Sequence, residues 1–199
     1  MQIDWSQVPE FLLALQEQNS IRDSAFFLET EELCGLRVLP MSIRHFLIAD
    51  AAESPFIRGE SIPSLEDCAL FLWIVSQDFC FDPAKRDQWV VRHCGNLTLL
   101  PTVTEIIGYI DEAMLDSPGG GGPRHKPTPY SWVATLVDII ASEYGWSERD
   151  ILNLPMKRAF TYQRRIQHRR SPDAPLINSM TDAAIREHWQ QRERAQQQN

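Results

Sequence analysis

No apolar run in this 199-residue chain is long enough to cross a bilayer, which takes about 20 residues of helix. Met1–Trp5 lacks the basic n-region and following apolar h-region of a secretory leader, so a cytosolic chain is expected. There is no C-x-x-C pair. Cys34, Cys68, Cys80 and Cys94 stand far apart, which disfavours structural zinc and reads as reduced, mostly buried thiols. The chain has no H-E-x-x-H, no nucleophile elbow and no paired acid motif, so nothing points to catalysis. The five histidines, His45, His93, His125, His168 and His188, are scattered, and no metal or cofactor is expected. Positive charge is scarce over most of the length. Residues 1–122 hold 7 Lys/Arg against 19 Asp/Glu, a net of −12, while residues 123–199 hold 12 against 8, a net of +4. An acidic body disfavours nucleic-acid binding, which needs a concentrated positive face. The two oppositely charged parts are expected to attract one another or to bind different things.

What is present is helical periodicity. Leu39–Ser76 holds two apolar segments around a turn-rich connection. In the first, Ile43, Phe46, Leu47 and Ala51 fall on one helical face, with Ser42 as N-cap. Glu53–Pro63, with Pro55, Gly59 and Pro63, interrupts. Ser64 caps the second segment, and Glu66 and Asp67 in its first turn favour the helix dipole. From Cys68 to Val75 every residue is apolar, so this helix is expected to be buried on most sides at the centre of the core.

Around that pair, Val8, Phe11, Leu12 and Leu15 predict a first helix over Trp5–Gln18. Ser24–Cys34 reads as helix or irregular chain ended by Gly35, and the acidic run Glu29, Glu31, Glu32 as a solvated face. Asp82–Pro83 starts a helix that runs to about His93. Thr102 or Thr104 caps a further one with Ile106, Ile107, Ile110, Ala113 and Met114 on its inner face. The stretch SPGGGGPRHKPTP, Ser117–Pro129, cannot hold a helix or strand and reads as a linker. It lacks the G-x-x-x-x-G-K-[ST] pattern of a phosphate cradle. Beyond it, Trp132–Tyr144 predicts a largely buried helix ended by Gly145; Ser147 caps a short one; and after Pro155 the pattern resumes through Ile166 into Arg164, Arg165, Arg169 and Arg170. The expected organisation is all-α: a helical domain over 1–117, a linker over 118–129, a helical hairpin over 130–170, and a polar helix with a frayed, Gln-rich end over 171–199.

Two stretches carry a resemblance. MSIRHFLIADAAESPFIRG with SLEDCALFLWIVS resembles the N-terminal half of tailed-phage tail assembly chaperones. ATLVDIIASEYGWSERDILNLPMKRAFTYQRRI resembles their C-terminal part. The resemblance implies a small, non-catalytic helical factor of the host cytoplasm, absent from the finished virion. Such a factor binds the tape measure protein while the tail is built; the tail tube protein is a second candidate partner, and self-association a third. Six Trp and nine Phe give an aromatic surplus suited to holding another protein's helices, although the same residues also fill cores. The candidate partner-binding residues are the basic end, Arg164, Arg165, Arg169 and Arg170, with Trp132 and Trp146. A structural virion component is the first rival. A DNA-binding regulator is the second, disfavoured because Pro155 falls inside the supposed reading helix and Ala134–Tyr144 is too apolar for a face on DNA.

Overall fold

A computed structural model describes residues 29–115 and 131–172, together with Gln16, Phe26, Phe27 and Ser117. The expected helix over Trp5–Gln18, the linker over 118–129 and the terminal helix lie outside these residues or almost so. The described chain is all-α apart from one small hairpin: β1 (Glu31–Leu33), β2 (Leu36–Val38), α1 (Ile43–Ala51), α2 (Pro55–Arg58), α3 (Leu65–Val75), α4 (Pro83–His93), α5 (Leu99–Ala113), α6 (Trp132–Tyr144), α7 (Glu148–Leu152) and α8 (Met156–Arg170).

Short polar side chains set the helix starts. Ser42 Oγ accepts from the His45 N–H, and His45 Nδ1 accepts from the Ser42 N–H, both at 3.2 Å. This is a capping box in which histidine takes the place of the usual Glu or Gln. Ser64 and Asp67 form the same box on α3. Asp82 caps α4, with Pro83 at a position where a missing N–H costs nothing. Ser147 caps α7. Gly59 and Gly145, both left-handed, close α2 and α6.

Helix α3 is the centre of the core: Cys68, Ala69 and Phe71–Val75 are all buried. Each fully buried side chain of this size contributes about 1.5–3 kcal/mol. Helices α1, α4 and α5 pack against α3. Helices α6 and α8 pack on each other and close one end of the same core, into which Leu136, Ile140, Phe160 and Ile166 project. The segment expected to stand apart as a hairpin therefore shares one hydrophobic core with residues 31–113. Backbone pairing ties the two parts. Met156 N–H donates to the Met41 carbonyl at 2.7 Å, and Ser42 bridges Pro155. The arms α6 and α8 also run in the same sense, since Trp132 meets Phe160 while Glu143 meets Arg169 and Arg170. Helix α7 carries the chain back between them.

Several expectations need correction. Residues 31–38 form an antiparallel hairpin with Leu33 opposite Leu36. Its two turn residues, Cys34 and Gly35, both have positive φ, 53° and 72°, as a tight right-twisting hairpin turn requires. Gly35 thus ends a strand, not a helix. Helix α5 starts at Leu99, earlier than Thr102, because Pro101 fits in a first turn where no intrahelical donor is needed. Pro55 likewise opens the short helix α2 inside the expected turn. On α1 the buried residues are Ile43, His45 and Ala49, and Leu47 faces outward.

Candidate functional site

The expected site residues do not form one patch. Trp132 is the first residue of α6 and Trp146 follows its capping Gly145, so about 18 Å of helix, at about 1.5 Å rise per residue, separates them. Trp146 is half-buried in an aromatic cluster, stacked on Tyr144 at 5.0 Å and edge-on to Tyr162 at 5.2 Å. That packing pins the α6–α7 connection. Arg169 and Arg170 both bond Glu143, at 2.6 and 3.1 Å, and Arg169 also lies over the Tyr144 ring. These hydrogen bonds hold the Glu143 carboxyl below its usual range, and the bonds Arg169 donates to the Tyr144 hydroxyl and to Glu143 raise its guanidinium. A carboxylate at the C-terminal end of α6 opposes the helix dipole, and the two guanidinium groups offset it. Two of the four arginines are thus engaged by Glu143. Arg165 is exposed, and Arg164 has partners of its own.

The acidic run is not simply solvated either. Glu31 turns inward, and its Oε1 accepts from Lys157 Nζ at 3.2 Å; Glu112 accepts from the same ammonium. Lys157 is only 6% exposed. Tyr109 is buried beside this group and donates to the Leu39 carbonyl at 2.6 Å. Burial first, then the charges of Glu31 and Glu112, raise its phenol well above the usual value. Glu105 accepts from the Cys34 N–H at 2.7 Å. Burial, and next the Glu105 carboxylate, push the Cys34 thiol up to about 12, so it stays protonated and inert. Glu31, Glu105 and Glu112 thus each have a structural task, while Glu29 and Glu32 are exposed. Among the described residues no group of His, Cys, Asp and Glu side chains could hold a metal ion. Nor is any described helix long and apolar enough to cross a membrane.

What the residue pattern did not single out is an open, mostly apolar groove of about 510 Å³ between α1, α3 and the chain entering α4. Trp73 and Ile74 of α3 form its floor, Leu47 and Ile48 of α1 one wall, and Phe79 and Phe81 the other. The second wall is held by rings in sequence. Phe81 meets Phe79 edge-on at 5.1 Å, Phe79 meets Trp73 at 5.8 Å, and Trp73 meets Trp89 at 5.5 Å. Phe81 is nevertheless 75% exposed, and Leu47 is 36% exposed. Leu47 also lines a second recess on the other side of α1, which Trp132 lines too. Trp132 lines that recess, not the groove itself, and rests edge-on against Phe46 at 5.0 Å. The signal for the groove was the aromatic pair Phe79 and Phe81 in a polar connection before a capped helix, a position where nothing local requires aromatics.

No protein-family model, curated protein or solved structure matches the chain.

Proposed function

We propose that this protein is a non-catalytic tail assembly chaperone that holds the tape measure protein in the host cytoplasm and leaves before the virion is complete. The observation that supports this reading most is the groove over Trp73, an apolar trough between helices with an exposed phenylalanine on its lip. Grooves of this kind receive the apolar face of an amphipathic helix. A tape measure protein is a long helical chain whose apolar faces have nothing to cover them before assembly, and chains of that kind aggregate. The similarity of the two stretches 41–76 and 134–166 to tail assembly chaperones supports the same reading.

Co-expression tests it. The tape measure protein of the same virus should be insoluble alone and soluble with this chain, in a complex that survives gel filtration. Mass spectrometry of purified virions should not find this chain. Equal insolubility with and without it, together with its retention in virions, would make it a structural tail component instead.

A further inference from the structure

We infer that the groove over Trp73 is the client site, and that its occupant is an amphipathic helix with acidic residues beside its apolar stripe. The inference rests on the chaperone reading and adds the site and the chemistry of the segment bound.

The shape argues for a helix. The groove is flanked by α1 and α3, of 9 and 11 residues, so it runs alongside about three helical turns at 1.5 Å per residue. Three turns bring i, i+3, i+4 and i+7 anchors to one face, enough to cover Leu47, Phe79 and Phe81 together. Charge selects among helices. Residues 1–122 are strongly acidic, yet two of their seven basic residues, Arg44 and Arg86, line this groove. Arg86 shares its guanidinium with Asp87. Arg44 is exposed and has no ion-pair partner among the described residues. The acid beside them, Asp82, is occupied in capping α4. The rim therefore offers positive charge over an apolar floor, in a body that otherwise repels acidic chains. On this acidic part of the chain an acidic helix is drawn to the groove rim, where a basic helix is not.

Cys80, a half-buried residue of the groove lining, is a built-in reporter. Burial raises the thiols of Cys34, Cys68 and Cys94, so these serve as slow internal references. The experiment follows N-ethylmaleimide labelling of each cysteine in the full chain, alone and in complex with the co-expressed tape measure protein. In the complex Cys80 should label at least about tenfold more slowly, with the reference thiols unchanged. Phe81→Ala and Leu47→Asp should each lower complex recovery about tenfold, the scale of an interface hot spot, at an unchanged melting temperature. Arg44→Glu should weaken binding, and added salt should bring the wild type down toward the same level. A complex that forms with Cys80 as reactive as before, and is untouched by Phe81→Ala, overturns the inference while leaving the chaperone reading intact. Absence of any complex overturns both. Protection of Cys80 that rises with chain concentration without client would assign the groove to a second copy, and faster labelling in Phe11→Asp would assign it to the chain's own N-terminal segment. Either result overturns the inference.

Discussion

Lys157 and Glu31 meet at 3.2 Å across 126 residues of sequence, the ammonium buried and the carboxylate nearly so. The contact joins α8 to the edge of the β hairpin. Two charges taken out of water are held there because each has the other, and Glu112 completes the group.

Removing the cation alone leaves Glu31 unpaired in a poorly hydrated place. Lys157→Met should therefore cost about 3–5 kcal/mol by denaturant unfolding, although methionine fills the same space. Glu31→Gln in the same chain should recover much of that loss, since the stranded charge is then gone. A Lys157→Met variant of wild-type stability would show the group to be solvated.

At the basic end of α8 the expected scale is smaller. Arg169→Ala removes an exposed, solvent-screened pair with Glu143 and should leave the melting temperature nearly unchanged. If the exposed Arg165 steers an acidic client, Arg165→Glu should slow association measured at low salt and have no effect at high salt.

His45 gives the protein an acid limit. Burial first, then the neighbouring Arg44 charge, lowers its imidazole from 6.5 to about 4, with the Pro40 backbone opposing. A neutral ring is what the capping box needs, because Nδ1 must accept from Ser42. The unfolded chain binds this proton more readily than the folded one. The stability concerned is thus fully present above pH 6.5 and is lost as pH falls toward 4, on the order of 3 kcal/mol in all. His45→Gln keeps an acceptor at the same position and should flatten the stability profile between pH 6.5 and 4. A profile with the same slope in that variant would place the acid sensitivity elsewhere.

Cys34 occupies a left-handed turn position that favours Asn or Gly. Cys34→Asn should raise stability by about 0.5–1 kcal/mol, read as a higher melting temperature, because the strain of a positive φ is relieved. A lower melting temperature would mean that the thiol's packing near Thr102 outweighs the turn.

Trp73 and Phe81 should separate stability from binding. Trp73 is 3% exposed at the centre of the core, and Trp73→Ala should cost about 3–5 kcal/mol. Phe81→Ala should change stability by no more than about 0.5 kcal/mol. A large loss from Phe81→Ala would make that ring a structural prop of Phe79.

Much of this architecture was legible where local rules suffice. Ser42, Ser64, Asp82 and Ser147 mark helix starts because capping depends on three consecutive residues or so. The Cys68–Val75 run marks the core because it has no polar face to turn outward. The hairpin was hidden because strands of three residues carry no alternation to read, and its inner carboxylate is held by a lysine far along the chain. On α1 the spacing of Phe46, Leu47 and Ala51 suggested one buried stripe, but α3 and α7 bury His45 and Ala49 instead. That rotation leaves Leu47 outside, and with it the wall of the groove. The basic end looked like a binding face because Glu143, which engages Arg169 and Arg170, lies on another helix.

The backbone bond from Met156 to Met41 also sets an order of events during synthesis. Residues 38–43 are strung between the end of α3 and the start of α8, and the second set of their partners is not made until Met156 leaves the ribosome. At about 5–20 residues per second that interval is on the order of ten seconds. Through all of it the chain entering α1 waits without the backbone partners that Leu154, Pro155 and Met156 supply.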